Sequence, residues 1–143
     1  MNLAQYRKCF NATEEQFTIL HDIDSGSIAK NVRYERLTDV TRVALVDNQF
    51  FFFKDSRLKL IYISDDATAQ QLWRDFKSGV NAENPEEIVR SRAGKTSNQE
   101  IFATHGIAAS ITKGEVDFIE IFPPCLLEEY LQSIYKEPEP FIR

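Results

Sequence analysis

The sequence predicts an α+β domain: a mainly antiparallel six-stranded sheet with short helices packed on it and a C-terminal helix. Three observations predict it. Strand-like runs come in sets joined by tight polar turns, as in Phe50 to Phe53, Asp55-Ser56 and Leu58 to Ile63. Between the sets the apolar spacing becomes i, i+3, i+4, i+7 at Ala69, Leu72, Trp73 and Phe76, the stripe of a helix with one buried face. The apolar positions of Phe50 to Lys77 also recur 58 residues later, in Ala108 to Tyr135. That recurrence is a repeat of pattern, and it suggests two helix–helix–meander units at about 3–64 and 67–122, a closing helix over 125–136 and a loose tail over 137–143.

In chain order, Leu3, Tyr6 and Phe10 mark one face of a first short helix. Thr13-Glu14-Glu15-Gln16 reads as a capping box that opens a second, Glu14 to His21, with Phe17 and Leu20 turned inward. Asp22 to Ser27 is loop. Ile28 to Leu37 fits neither a helical nor a strand period. Val43 to Val46 and Phe50 to Phe53 are strands around an Asp47-Asn48 turn, and Leu58 to Ile63 is a third. Asp65-Asp66 caps the helix that carries Trp73, and Ser78-Gly79 ends it. Asn84 as cap and Pro85 at the first helical position predict a short helix over Glu86 to Arg92. The second meander is Glu100 to Thr104, Ile107 to Ile111 and Val116 to Phe122, with turns at His105-Gly106 and Lys113-Gly114. Pro123-Pro124 stops it before a last helix carrying Leu127, Tyr130, Leu131 and Ile134, and Phe141 and Ile142 of the tail are expected to dock back.

A chain of 143 residues, 43% hydrophobic and 27% charged, is a single domain able to bury a core. Its net charge of −5 argues against binding phosphate backbones, so no nucleic acid is expected. One segment runs the other way: Lys30, Arg33, Arg36 and Arg42, set against Glu35 and Asp39, are mildly basic, which is first read as a mixed solvated surface and, as the alternative, as a patch that steers an acidic partner. No apolar run approaches membrane-spanning length, so no membrane is expected either, and two isolated cysteines predict a cytoplasmic protein with reduced thiols.

Chemistry-bearing constellations are sparse. His21 and His105 are the only histidines, and neither they nor Cys9 and Cys125 show metal-ligand spacing, so no metal, cofactor or catalytic residue is predicted. Cys125 stands at a helix start, where a dipole can lower a thiol pKa, yet nothing nearby supplies a base. Asp117 with Glu120, and Glu128 with Glu129, are carboxylate pairs of the kind common on solvated faces. Arg90-Ser-Arg92-Ala-Gly94-Lys95 gathers three cations but lacks P-loop spacing, and its arginines are expected to satisfy the last carbonyls of a helix.

Sidedness carries the functional expectation. Leu58, Leu60 and Tyr62 mark one face of their strand while Ile61 and Ile63 mark the other. Val116, Phe118 and Phe122 oppose Ile119 and Ile121 in the same way, and Phe50 to Phe53 must send two rings to each side. Both faces are apolar. A face left open by the helices would bind a protein partner or a second copy of the chain through Phe51, Phe53, Leu58, Leu60, Tyr62 and Phe118. The alternative is a strongly curved sheet wrapped on helices at both sides, or two small sheets facing each other. The tandem organisation of Ala67 to Phe122, followed more loosely by Leu3 to Ser64, resembles the β-lactamase-inhibitor-protein and small outer-membrane lipoprotein folds, which implies a protein-binding sheet. In size and acidity the chain is also similar to small bacterial chaperones of secreted effectors. The expected function is therefore a non-enzymatic interaction module, inhibitor-, adaptor- or chaperone-like, working through a sheet face or edge. The alternative is a small-molecule binder or minor enzyme with a pocket near Trp73, His105 and Tyr130.

Overall fold

Four residues set the tightest turns. Asp55 (φ 51°) and Ser56 (φ 69°), and again Lys113 (φ 52°) and Gly114 (φ 83°), hold left-handed backbone in pairs. Two consecutive positive φ values give the type I′ turn whose twist matches that of the flanking strands. The result is two hairpins closed by Lys54 opposite Arg57 and by Thr112 opposite Glu115. The structure, a computed structural model, describes residues 1–46, 48–81 and 83–140. Asp47 of the expected Asp47-Asn48 turn, and the docking of Phe141 and Ile142, lie outside the described residues.

The helices are α1 (Leu3–Lys8), α2 (Glu14–Leu20), α3 (Asp66–Gly79) and α4 (Leu127–Ser133). The strands are β1 (Ile28–Tyr34), β2 (Leu37–Val46), β3 (Gln49–Lys54), β4 (Arg57–Ile63), β5 (Glu87–Arg90), β6 (Asn98–Phe102), β7 (Ile107–Thr112) and β8 (Glu115–Ile121). They form one open antiparallel sheet in the order β1-β2-β3-β4-β8-β7-β6-β5. The expected caps form. Thr13 and Gln16 make a reciprocal capping box at α2, and the Asp65 side chain accepts from Thr68 N at 3.2 Å at α3.

The sheet has eight strands where the sequence predicts six, and each extra strand has a physical reason. Ile28–Tyr34 pairs with β2 through two register shifts, with Asn31 at φ 55° and, in the turn beyond, Glu35 at φ 53°. Kinks of that kind erase the alternation that identifies a strand. Glu87–Arg90 pairs along β6 instead of forming the expected helix. A helix that short leaves most of its own backbone groups unpaired, whereas strand pairing satisfies them, and the branched Ile88 and Val89 suit a strand.

Bulges also correct the sidedness. Register shifts fall between Phe52 and Phe53 in the β3–β4 pair and between Ser110 and Ile111 in the β7–β8 pair. Each leaves one extra residue on the partner strand, Lys59 or Asp117, which reverses the parity beyond it. Leu58 and Val116 thus join Ile61, Ile63, Ile119 and Ile121 on one face instead of opposing them. The four phenylalanines divide as the alternation requires, with Phe51 and Phe53 in that cluster and Phe52 and the half-buried Phe50 in the opposite one.

Several of these features recur at a spacing of 58. Asn48 (φ 65°) and Gly106 (φ 66°) share one conformation. The Asn48 carbonyl accepts from Ser64 N at 2.8 Å, and the Gly106 carbonyl from Phe122 N at 3.0 Å. At the centre of the sheet Ile61 faces Ile121, Tyr62 faces Glu120 and Ile63 faces Ile119.

Neither apolar face is bare. The first is covered by α1, α2 and α3, whose Tyr6, Phe17, Leu72, Trp73 and Phe76 meet Phe51, Phe53 and Phe102 of the sheet. The second is concave. Tyr34 on β1 donates a hydrogen bond to Glu120 on β8, although β2, β3 and β4 lie between them. In a flat sheet those strands would be about 19 Å apart, so the sheet curls around this face. α4 closes the remainder: Tyr130 packs on Phe122 at 4.9 Å between ring centroids, and the β1–β2 turn meets the end of the helix where Arg36 N donates to Ile134 O at 3.2 Å. The helical spacing expected at Tyr130 and Ile134 is therefore present, but α4 lies on the face opposite α3.

Candidate functional site

The concave face holds a carboxylate in the middle of an apolar strand. Glu120 is 1% exposed between Ile119 and Ile121, and its alternate-face position directs it at the curl. Tyr34 donates to its Oε2, Tyr130 donates to its Oε1, and Gln99 Nε2 donates to Oε1 at 3.2 Å and also to the Tyr130 hydroxyl. Arg92 Nη2 donates to the Tyr34 hydroxyl at 3.0 Å. With the carboxylate ionised every one of these hydrogens has an acceptor, and among the described residues no buried side-chain nitrogen or oxygen lacks a partner. Burial pushes the Glu120 carboxyl above the ordinary glutamate range, against the pull of the Tyr130 and Tyr34 hydrogen bonds and the Arg92 charge. Burial likewise pushes the phenols of Tyr34 and Tyr130 well up, and the adjacent Glu120 charge adds to it.

Arg92 connects this buried centre to the surface. It follows β5 on a loop pinned by hydroxyls: Ser91 Oγ lies 2.5 Å from Ser110 Oγ, Ser110 Oγ donates to Asp117 at 2.8 Å, and Ser97 Oγ lies 2.5 Å from Thr112 Oγ1. The guanidinium so placed lies 4.3 Å from the centroid of the Phe118 ring and 5.0 Å from that of Tyr34, while its Nε pairs with Glu35 at 3.2 Å. Contacts with the rings of Phe118, Tyr34 and Tyr62 and with a carboxylate suit the weakly hydrated, planar guanidinium.

Outside Arg92 opens a crevice of about 750 Å³ between the end of β1, which supplies Arg33 and Glu35, and the tail, which supplies Lys136 to Pro140. A smaller hollow with Arg36 adjoins it. From Arg92 the same face continues through the half-buried Tyr62 to Phe50, over which Arg42 lies at 5.1 Å. Three of the four cations that the sequence sets apart, Arg33, Arg36 and Arg42, thus border this face together with Arg92 and Lys136.

The residues expected at an interface sit elsewhere. Phe51, Phe53, Leu58, Leu60 and Phe118 are buried inside the chain, and Tyr62 alone retains partial exposure. Trp73 and His105 lie close together, each packed on Phe76 and Phe102, but Tyr130 is on the other face, so the three do not share a pocket. Asp117 and Glu120 do not act as a pair, because Asp117 binds Ser110 and Thr112. Arg90 and Arg92 cap no helix: Arg90 Nη2 donates to the carbonyl of Pro138 at 2.6 Å. Burial raises the Cys125 thiol pKa, opposite to the direction a helix start would give. Glu128 and Glu129 are exposed in the first turn of α4. Among the described residues no cluster of His, Cys, Asp and Glu converges to hold a metal, and no helix is long and apolar enough to cross a membrane.

Tyr34 and Gln99 go unnoticed in the sequence, and Arg92 is noticed only as one of the cations of Arg90 to Lys95, because the curl of the sheet brings all three to Glu120 from distant parts of the chain. One signal does exist: Glu120 is the single charge between Phe118 and Phe122, in an otherwise apolar run. No protein-family model, curated protein or solved structure matches this chain.

Proposed function

We propose that this chain is a non-enzymatic protein-interaction module that docks an acidic segment of a partner protein in the crevice beside Arg92. The observation that supports it is a gathering of cations: in a chain of net charge −5, Arg33, Arg92 and Lys136 line one concave surface alongside Glu35, Glu137 and Glu139, with Arg36 next to it. Arg92 is preorganised by Tyr34, Glu35 and Phe118, so little side-chain freedom remains to be lost when a carboxylate arrives. The half-exposed Tyr62 and Phe50 beside it offer area for an apolar side chain of the same segment. This moves the interaction surface from the apolar sheet faces, which the chain covers itself, to the rim of the concave one.

The frame behind the site is read as two copies of one unit, each an antiparallel meander of four strands, preceded by α1 and α2 in the first copy and by α3 in the second. Turn conformations, bulges and carbonyl bonds matched at a spacing of 58 support that duplication, and α4, on the opposite face from α3, departs from it. A small-molecule or catalytic pocket between sheet and helices has less to stand on. Trp73, Phe76 and Phe102 pack on one another there, with centroids 5.0–5.8 Å apart, and Glu120, the one carboxylate among the described residues that burial perturbs, is sealed from solvent.

Fluorescence anisotropy with a labelled oligo-glutamate peptide tests the proposal. The chain should bind it with an affinity that weakens as salt rises, and Arg33→Glu, an exposed substitution, should weaken binding by roughly three- to tenfold. Absence of binding, or binding indifferent to Arg33→Glu, would overturn it.

A further inference from the structure

The tail that forms one wall of the crevice reads Lys136-Glu137-Pro138-Glu139-Pro140. It is held mainly through its backbone. Arg90 Nη2 donates to the carbonyl of Pro138 at 2.6 Å and reaches that of Glu139 at 3.4 Å. Just before it, Tyr135 Oη donates to the carbonyl of Arg90 at 2.7 Å, and Arg36 Nε donates to the carbonyl of Tyr135 at 2.7 Å. Arginine gripping the carbonyls of a proline-spaced segment is a way to hold extended backbone that has no hydrogen bonds of its own. Pro138 and Pro140 lack an N–H, so the segment cannot lengthen β5 as a regular strand.

Charge gives this arrangement a second meaning. The crevice is lined by three cations and three carboxylates, and two of the carboxylates, Glu137 and Glu139, come from the tail. Glu35, the third, is already paired with Arg92. The tail thus brings two carboxylates to the same lining as Arg33 and Arg92.

We infer that the tail is a resident stand-in for the partner. On this view the crevice takes an extended Glu-Pro-type acidic segment of another protein, and Glu137 to Pro140 occupy its charge until that segment arrives. The inference rests on the crevice being a docking site for acidic protein, and it adds the chemistry of the segment and a built-in competitor. Intramolecular tethering keeps the tail at high local concentration, so only a segment that offers more contacts replaces it.

The test uses the full chain and a labelled peptide of repeated Glu-Pro. Glu137→Ser with Glu139→Ser removes the competing charge, and Arg90→Ala loosens the backbone grip. Each should tighten peptide binding, the double variant by roughly three- to tenfold. Asp66→Asn with Asp75→Asn on α3 makes the same change of net charge on the other side of the sheet and should leave binding near that of the unaltered chain. If the tail variants bind no tighter, or no tighter than the α3 control, the competitor role is overturned while the docking site stands. If neither the chain nor its tail variants bind the peptide, both fall.

Discussion

Glu120 shows how one side chain organises a face. Its carboxylate ties β8 to β1 through Tyr34, to α4 through Tyr130 and to β6 through Gln99. Tyr130→Phe removes one of these donors, leaving Glu120 Oε1 with Gln99 alone and Gln99 without the Tyr130 hydroxyl as acceptor, which should cost about 1–3 kcal/mol of stability by denaturant unfolding. The pH dependence follows from the raised carboxyl pKa. In the window between the ordinary glutamate value and the raised folded one, the folded state holds a proton that the unfolded chain has released. Stability contributed by this group therefore falls as pH rises through that window and levels off above it. The stability difference between the unaltered chain and Glu120→Gln, followed against pH, should decline across that interval, and a rise there would contradict the assignment. Sequence alone places Glu120 on an apolar strand. It does not supply the partners, because their approach depends on the curl of the sheet and no local period encodes that.

At the scale of elements, the legible parts are those whose chemistry is local. Asp55-Ser56 and Lys113-Gly114 declare their turns because few residues tolerate paired positive φ. Thr13 and Asp65 declare helix starts because their side-chain oxygens meet orphan backbone donors. The illegible parts are those decided by a neighbour. β5 exists because β6 offers it a ladder, β1 hides its period behind Asn31, and the bulges at Lys59 and Asp117 move Leu58 and Val116 to the other face. Gly106 sharpens the comparison with Asn48, which has nearly the same φ. A Cβ at Gly106 would come within 2.3 Å of the Phe122 carbonyl oxygen, a backbone atom that cannot swing aside. Gly106→Ala should therefore destabilise the fold by more than the ~1 kcal/mol of a left-handed alanine alone, whereas Asn48→Gly should be close to neutral. Thermal or denaturant unfolding of the two variants checks both.

At the scale of the whole molecule, the abundance of phenylalanine is accounted for by the need to cover both faces of one curled sheet. Helices α1 to α3 take one side, and α4 with the β1–β2 turn takes the other. Phe51 and Phe53 belong to the interior, and truncating either to alanine should cost about 3–5 kcal/mol, measured by denaturant unfolding. An altered oligomeric state with unchanged stability would contradict that placement. With the apolar faces consumed by folding, the surface that remains distinctive is the rim where Arg33, Arg92 and Lys136 gather. Its cations come from β1, from the loop after β5 and from the tail, so it exists only in the folded chain, although Arg33 and Arg36 stand out in the sequence as an exception to the acidic balance. The most direct measurement is an amide-resolved NMR titration of the full chain with oligo-glutamate. Shifts concentrated at Arg33, Glu35, Arg92, Lys136, Glu137 and Glu139, and weakened by salt, are the predicted result. Shifts confined to the groove between α1 and α2, or none at all, would contradict the crevice as the binding site.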